Sequence, residues 1–385
     1  IDHHTTHGAA TFLCSPFQEA AIVTVDGVGE WVTTTYSIGK GSEITILGEI
    51  HFPHSLGLLY STITAYLGFS VNNSEYKVMG LAPYGQPEFA DLFRRMIRPV
   101  GDTFQLNLDF FTHHRSGIKM NWNDGAPTIQ PFYSALLEKT LGPARQKHEP
   151  LTSRHDNLAK SLQVVTEEIL MHLLNRLHAK TGCENLCMTG GVAMNSVANG
   201  KITSQTPFRN VYIPAGAADN GTSFGAAFHV WNRQLQKPRT FVQDHAYWGC
   251  VSTSDEAVEA ADRLGVPYRR LAERELLDFV TEQLIGGKVA GWFQGQMEFG
   301  ARALGNRSLI ADPRRTDMRD IINLRIKFRE KFRPFAPSIL EEHVGEWFEI
   351  NEATPYMEKV FPIRKNKHAV IPAVTHVDGS GRLQT

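Results

Sequence analysis

The chain of 385 residues contains only four cysteines, and they do not form matched pairs. This disfavours a disulfide-stapled fold, which needs dense, paired cysteines in a small domain. Cys183 and Cys187 lack both the zinc-knuckle spacing and a partner pair elsewhere. We expect reduced, buried thiols, as in a protein of the cytoplasm, at Cys14, Cys183, Cys187 and Cys250.

The chain also lacks an excess of charge of either sign and any long apolar run. Its 39 basic and 40 acidic side chains give a formal net charge of -1, which provides no electrostatic argument for a nucleic-acid or membrane surface. No apolar stretch reaches the length of about 18 residues that spans a bilayer. We therefore expect neither nucleic acid nor a membrane as a partner.

The length predicts two domains, and the order of strands and helices predicts the α/β class. A composition shift at residues 232–244 separates an expected first domain, 1–238, from an expected second domain, 245–385. The first residue is Ile, and the last eight residues read like the middle of a loop. We expect a chain that is incomplete at both ends.

Four side chains predict a metal site in the first domain. His3 and His7 are four residues apart, so on a helix they share one face with Cβ atoms about 5–6 Å apart. Asp26 follows an apolar strand, and Asp219 lies on a second glycine-rich loop after another strand. Two imidazoles and two carboxylates suit iron, zinc, nickel or copper. The alternatives are histidines that are close by chance and aspartates that cap turns.

A long amphipathic helix precedes a glycine turn. Apolar residues recur every three or four positions over 158–177, with His155 and Asp156 expected at the capped start. A short apolar strand then leads to Gly190 and Gly191, before a second helix. This turn is compatible with nucleotide binding, because glycine N–H groups and a helix N-terminus can hold an anion.

The segment 295–337 is dense in basic side chains that alternate with apolar ones. A basic tract is usually a solvated face or a nucleic-acid surface, but the apolar residues here divide the cations between a core and a cleft. Because a planar guanidinium group can hold phosphate with two hydrogen bonds, we favour a small phosphorylated ligand over nucleic acid. The basic residues are Arg302, Arg307, Arg314, Arg315, Arg319, Arg325, Lys327, Arg329, Lys331 and Arg333.

Eight motifs, taken in their order, resemble those of the O-carbamoyltransferase family of nodulation and antibiotic-tailoring enzymes. The resemblance extends over essentially the whole chain. The motifs are HHTTHGAA, VTVDGVGEW, FPHSLGLLYSTITAYLGF, EYKVMGLAPYG, MTGGVAMNS, PAGAADNGTSFGAA, GQMEFGARALGNRSLIADPR and NLRIKFREKFRPFAPSIL.

The resemblance implies an actin-like, sugar-kinase-like (ASKHA) domain, similar to the tRNA threonylcarbamoyl-transfer proteins, followed by an α/β carbamoyl-adenylate-forming (YrdC-like) domain. In such enzymes the second domain converts carbamoyl phosphate and ATP to carbamoyl-AMP and pyrophosphate. The first domain then transfers the carbamoyl group to a hydroxyl of a small-molecule or oligosaccharide acceptor in a biosynthetic pathway and releases AMP. The expected cofactors are Fe2+, or another divalent metal, and Mg2+ with ATP.

Individual residues match the family's functional positions by motif. The matches to metal ligands are His3, His7, Asp26 and Asp219. The matches to nucleotide-binding turns are Gly190, Gly191, Asn195 and Asn220. The segments that hold carbamoyl phosphate and the adenylate contain Arg302, Arg307, Lys327 and Arg382, of which Arg302 and Lys327 are candidate catalytic residues. His4 is a candidate general base for the acceptor hydroxyl, and a buried structural histidine is the alternative.

Three other functions remain open. A tRNA threonylcarbamoyl-transfer protein would share the metal and nucleotide architecture, although the balanced charge and the second domain disfavour tRNA binding. A sugar or acetate kinase would need magnesium but no histidine pair. A non-catalytic ATP-binding regulator of the actin-like fold would bind nucleotide without metal or carbamoyl phosphate. A homodimer is also left open, and we expect a chain that lacks both ends to be inactive alone.

Overall fold

The computed structural model describes residues 1–72, 74–123 and 126–385. The chain forms two compact units, of which the first comprises 1–243 and 358–360 and the second 244–357 and 361–385. Both units combine helices with strands, which confirms the predicted α/β class with two domains. The actin-like and YrdC-like identities of the two domains stay predictions.

The first unit combines a five-stranded sheet with helices and short hairpins. Its helices are α1 (His3–Phe12), α2 (Leu56–Tyr66), α3 (Glu75–Leu81), α4 (Ala90–Met96), α5 (His113–Ser116), α6 (Ala135–Leu141), α7 (Ser153–Thr181), α8 (Ser196–Asn199), α9 (Ile202–Gln205) and α10 (Thr222–Phe228). Its strands are β1 (Glu19–Val25), β2 (Val32–Lys40), β3 (Glu43–His51), β4 (Ile97–Val100), β5 (Thr103–Leu106), β6 (Met120–Asn123), β7 (Ala126–Ile129), β8 (Asn185–Thr189) and β9 (Asn210–Tyr212).

The five-stranded sheet has the order β3-β2-β1-β8-β9. Strand β1 is antiparallel to β2 but parallel to β8, and β8 is parallel to β9. The carboxyl ends of β1, β8 and β9 therefore meet at one edge of the sheet, which is where open α/β sheets bind their ligands. Asp26, Gly190 and the loop that carries Asp219 all follow these three ends.

Helix α1 packs on this sheet and is covered by α10. The apolar cluster beneath it consists of Ala9, Phe12, Leu13, Ala20, Ile22 and Cys187. A Cβ atom on Gly225 of α10 would overlap the carbonyl oxygen of Thr6, so the two helices approach closely only because this residue is glycine.

Helix α7 buries the predicted apolar face, and His155 takes part in the predicted cap at its start, where Thr152 is the N-cap residue. The periodic residues Leu158, Leu162, Val165, Ile169, Leu173 and Leu177 are all buried. The helix begins at Ser153, so His155 and Asp156 lie inside its first turns. The ring of His155 instead reaches back and accepts a hydrogen bond of 3.0 Å from the N–H of Thr152, because the first N–H groups of a helix lack backbone partners.

The predicted burial of the thiols is confirmed for three cysteines and is wrong for Cys250. All four thiols are free, and Cys14, Cys183 and Cys187 are buried. Cys250 is exposed, and it lies shortly before α11 (Ser254–Leu264), a helix with no buried side chain.

The second unit contains short elements around small apolar cores. Its remaining helices are α12 (Glu273–Ile285), α13 (Met318–Ile321) and α14 (Val344–Trp347), and its strands are β10 (Ala290–Phe293), β11 (Arg307–Ile310), β12 (Val360–Pro362, which begins at the last residue of the first unit) and β13 (Ser380–Arg382). One core cluster consists of Val344, Phe348, Phe361, Ile363, Ile371, Val374 and Leu383. Within the described ranges, no helix has the length and apolarity needed to cross a membrane.

Candidate functional site

The loop after β1 fixes the orientation of the Asp26 carboxylate. The N–H of Asp26 donates to the carbonyl oxygen of Thr33, 2.9 Å away, across the base of the β1–β2 hairpin. Its Oδ1 accepts hydrogen bonds from the N–H groups of Gly27, at 2.7 Å, and Gly191, at 3.1 Å. The other carboxylate oxygen, Oδ2, is thereby turned toward α1.

The glycine turn after β8 contacts this carboxylate. Gly190 has a φ of 95°, which favours glycine, and a Cβ there would overlap the carbonyl oxygen of Val25. A Cβ on Gly191 would lie 2.9 Å from Asp26 Oδ1. The predicted helix after the turn is short: a 3₁₀ turn, Gly191–Met194, is followed by the single turn of α8. These short turns do not provide the N-terminus of a long helix for anion binding. Nucleotide binding at Gly190 and Gly191 stays a prediction.

The structure brings the four predicted metal ligands together. Nε2 of His3 and Nε2 of His7 are 3.1 Å apart, and they lie 3.1 and 3.0 Å from Asp26 Oδ2. Asp219 Oδ1 lies 3.5 Å from His3 and 3.4 Å from His7. His7 is fully buried, whereas the Asp219 side chain is 74% exposed, so the cluster opens to solvent on the Asp219 side.

These distances fit a first-row divalent metal. Bonds of about 2.1 Å place neighbouring ligand atoms about 3.0 Å apart in an octahedral site and about 3.4 Å apart in a tetrahedral one. The two-nitrogen, two-oxygen donor set suits iron and zinc better than the all-oxygen sites that magnesium prefers.

The cluster also has the electrostatics of a cation site. Burial opposes a charge on His7, but its contacts with Asp219 and Asp26 outweigh burial and raise the pKa of His7 to about 9. Burial opposes a charge on Asp26 as well, yet hydrogen bonds from His3 and His7 hold the pKa of this carboxyl well below its usual range. The two carboxylates thus stabilise a positive charge at this position, and a divalent ion would provide that charge.

A second layer of contacts sets the tautomer of His7. The hydroxyl of Thr189 donates to the carbonyl oxygen of Ala217, at 2.8 Å, and its oxygen lies 3.3 Å from His7 Nδ1. Nδ1 therefore donates to Thr189, and Nε2 faces the other ligands. Such hydrogen bonds orient histidine ligands in metal sites.

His4 is buried beside the cluster, and both of its ring nitrogens have partners. Nδ1 contacts the hydroxyl of Thr24, and Nε2 lies 2.8 Å from the carbonyl oxygen of Val32. Burial lowers the pKa of His4 to about 4, so the ring is neutral near pH 7. General-base catalysis by His4 stays a prediction, and this arrangement favours the structural alternative.

Asn195 belongs to a buried polar network with α7. Its side-chain amide exchanges two hydrogen bonds with the amide of Gln163, at 2.9 and 3.0 Å, and its oxygen also caps α8. Gln163 donates to Glu167, which pairs with Lys201 at 2.6 Å. Asn195 is thus used to hold the glycine turn, while Asn220 lies exposed beside Asp219, and nucleotide binding by either residue stays a prediction.

In the second unit, several basic side chains form what we call the cationic cluster: Arg302, Lys327, Arg329, Arg333 and Arg382. Burial and then the charges of three of these arginines lower the pKa of Arg382. Burial and two of them lower the pKa of Lys327. Like charges that lower one another's pKa values cost free energy, and a bound anion offsets that cost.

Arg307 has a different environment from the cationic cluster. Its guanidinium donates to the carbonyl oxygens of Gln294, at 2.6 Å, and Asn306, at 2.8 Å, and lies 3.5 Å from the ring centre of Phe293. These contacts join the two strands β10 and β11. The phosphate contact predicted for Arg307 stays a prediction.

Two buried residues that organise the cationic cluster were missed by the sequence analysis. Glu298 Oε1 accepts hydrogen bonds from the N–H groups of Leu304, Asn306 and Arg307, at 2.7 to 3.1 Å, and so shapes the loop that carries Arg302. Asn323 accepts from Arg329 Nε at 2.7 Å and donates to the carbonyl oxygen of Arg333 at 2.9 Å. Its position just before a glycine- and asparagine-rich loop could have indicated that Glu298 accepts hydrogen bonds from the backbone of that loop.

Comparison with known proteins adds independent findings. Residues 1–228 match the family model of the carbamoyltransferase N-terminus, and residues 281–385 match that of the carbamoyltransferase C-terminus. The chain is 38% identical to nodulation protein NolNO of Sinorhizobium fredii, over 100% of this chain and 54% of that protein. It is 36% identical to nodulation protein NolO of Bradyrhizobium diazoefficiens, over 100% of this chain and 67% of the relative.

An uncharacterized protein of Synechocystis is 42% identical, over 100% of this chain and 65% of its own length. The chain thus spans between 54% and 67% of the length of these three relatives. The two family models match in the predicted order, and the predicted family is confirmed. This chain belongs to the carbamoyltransferase family.

Proposed function

We propose that the protein acts in ATP-dependent O-carbamoyl transfer. Carbamoyl phosphate and ATP form carbamoyl-AMP in the second unit, and the carbamoyl group then passes to a hydroxyl of a small-molecule or oligosaccharide acceptor at the first. The single observation that carries the proposal is the cationic cluster, because neighbouring positive charges favour the binding of an anionic ligand.

Atom balance defines the first reaction. The phosphoryl group of carbamoyl phosphate leaves as phosphate, with one water consumed, and the carbamate oxygen forms a bond to the α-phosphorus of ATP. The bond from that phosphorus to the bridging oxygen breaks, and pyrophosphate leaves. The negative charge on the phosphoryl oxygens increases at both steps, and preorganised guanidinium groups such as those of Arg302 and Arg382 stabilise it.

The second reaction needs no further energy input. The acceptor oxygen forms a bond to the carbamoyl carbon, the bond from that carbon to AMP breaks, and the hydroxyl proton is lost to a base. His3, His7, Asp26 and Asp219 would hold the divalent metal, for which we propose Fe2+. When bound, the metal supplies Lewis acidity toward a carbonyl or phosphoryl oxygen. Mg2+ would accompany ATP.

Pyrophosphate exchange tests the proposal. The protein is incubated with ATP, labelled pyrophosphate and carbamoyl phosphate. We expect label in ATP only when carbamoyl phosphate is present, and at least about tenfold less exchange in Arg382→Ala. The matched control is Arg315→Ala, because Arg315 pairs with Asp317 at 2.9 Å.

Each alternative function predicts a different outcome. A non-catalytic regulator would bind ATP without exchange, and a kinase would transfer the γ-phosphoryl group of ATP without needing carbamoyl phosphate. A threonylcarbamoyl-transfer protein would bind tRNA. Absence of exchange in folded, metal-loaded protein would refute adenylation.

A further inference from the structure

Phe328 has an unusual backbone conformation and lies between two members of the cationic cluster, Lys327 and Arg329. Its φ angle is 47°, in the left-handed region that bulky residues avoid. It is also 83% exposed, so burial of the ring does not offset the cost of this conformation. An aromatic side chain under strain and in water indicates a role other than folding.

The segment before Phe328 holds it in place. A π-helical turn, Ile322–Ile326, precedes it, and such turns are frequent at functional sites. The N–H of Lys327 donates to Ile322 at 2.8 Å, and the N–H of Arg329 donates to Asn323 at 2.9 Å, so both neighbours of Phe328 are bonded back to the turn. Asn323 is fully buried. The strained conformation of Phe328 is therefore held by the hydrogen bonds of its two neighbours to this turn.

The chemistry of this corner selects one kind of ligand. Phe328 stands in the chain between two cations, Lys327 and Arg329, and its ring is exposed. This combination suits a molecule that carries phosphates together with a planar ring. We propose that Phe328 is the stacking surface for the adenine base of ATP, with the phosphates on the cationic cluster. This inference rests on the proposed function and assigns the base-binding part of that site.

Comparison of ATP with tripolyphosphate separates base binding from phosphate binding. Titration calorimetry with Mg2+ should show that Phe328→Gly and Phe328→Ala weaken ATP binding about tenfold and leave tripolyphosphate binding within about twofold. The control is Phe279→Ala, because Phe279 is another exposed phenylalanine beside an arginine, Arg269, outside the basic segment. It should change neither affinity.

The glycine variant also tests the strain. Because glycine adopts positive φ without cost, Phe328→Gly should raise the midpoint of thermal unfolding by about 2 °C or more while it weakens ATP binding. A gain in stability together with a loss of affinity cannot come from misfolding. Phe328→Trp should retain ATP binding, with its added fluorescence quenched by ATP and not by tripolyphosphate.

Three results would overturn the inference. One is an unchanged ATP affinity in Phe328→Gly. A second is an equal loss of affinity for ATP and for tripolyphosphate. The third is a Phe328 variant that changes the oligomeric state and neither of these affinities. The experiment uses no carbamoyl phosphate. Pyrophosphate exchange can fail in the presence of carbamoyl phosphate while the Phe328 variants still lose affinity for ATP and not for tripolyphosphate. That result would refute the proposed function and leave the role of Phe328 in ATP binding in place.

Discussion

The two oxygens of the Asp26 carboxylate have different partners. Oδ1 accepts from the backbone of Gly27 and Gly191, and Oδ2 faces the two histidines. The backbone donors hold the carboxylate in one orientation without using the oxygen that faces the cluster. Outer contacts of this kind commonly change metal affinity by about 10- to 100-fold.

Gly191→Ala should therefore weaken metal binding. The new methyl group would lie 2.9 Å from Asp26 Oδ1 and displace the carboxylate. We expect at least about tenfold weaker Zn2+ or Fe2+ binding by anaerobic titration calorimetry. Gly27→Ala is the matched control, because a Cβ there has no atom within 4 Å. Equal affinities in the two variants would contradict the assignment of Asp26 as a ligand.

The loop between β10 and β11 is organised by one carboxylate and not by regular secondary structure. Glu298 is 7% exposed and serves three backbone N–H groups at once. Burial opposes its ionisation, but hydrogen bonds from Leu304, Asn306 and Arg307 lower the pKa of Glu298 below its ordinary value. Because the loop carries Arg302, the geometry of the cationic cluster depends on this charge.

Glu298→Gln should destabilise the second unit in a pH-dependent way. The pKa is lower in the folded state, so the stabilisation is complete above the ordinary value of 4.5 and is lost as the pH falls through the lowered folded pKa. Urea unfolding should show a cost of about 1–3 kcal/mol at pH 7 that shrinks below pH 4.5. The exposed Glu259→Gln is the control. A cost independent of pH would contradict the role of the charge.

The whole chain has a net charge of -1 but contains two local environments of opposite charge. The first unit contains two carboxylates that attract a cation, and the second contains guanidinium groups that attract an anion. Average charge therefore says little about what the protein binds. The four residues of the metal cluster all lie in the first unit, and the residues of the cationic cluster all lie in the second.

Hydrogen exchange should resolve the two sites within one molecule. Zn2+ should slow exchange in residues 3–12 and 189–195, and carbamoyl phosphate should slow it in residues 298–307 and 322–333, because a ligand stabilises the segments that it contacts. The metal-site variant His7→Ala should lose only the Zn2+ effect. Protection of all four segments by Zn2+ alone would contradict two separate sites.

Local patterns were sufficient to predict much of the metal cluster. A spacing of four places His3 and His7 on one helical face wherever that helix lies, and the ends of parallel strands meet at one edge. The apolar period of α7 likewise follows from the geometry of a helix alone. These predictions depend on short-range geometry, which is the same in every fold.

Other features depend on contacts between distant segments. Asn195 pairs with Gln163, 32 residues away, and no local pattern in the sequence indicates this amide pair. The basic segment predicted an anion site but not which residues lie near one another, since Arg307 joins two strands whereas Arg382 belongs to the cationic cluster from beyond the segment. A guanidinium group has a long, flexible stem, so its partner is set by the path of the surrounding backbone. That path is decided by packing, which the order of residue types does not reveal.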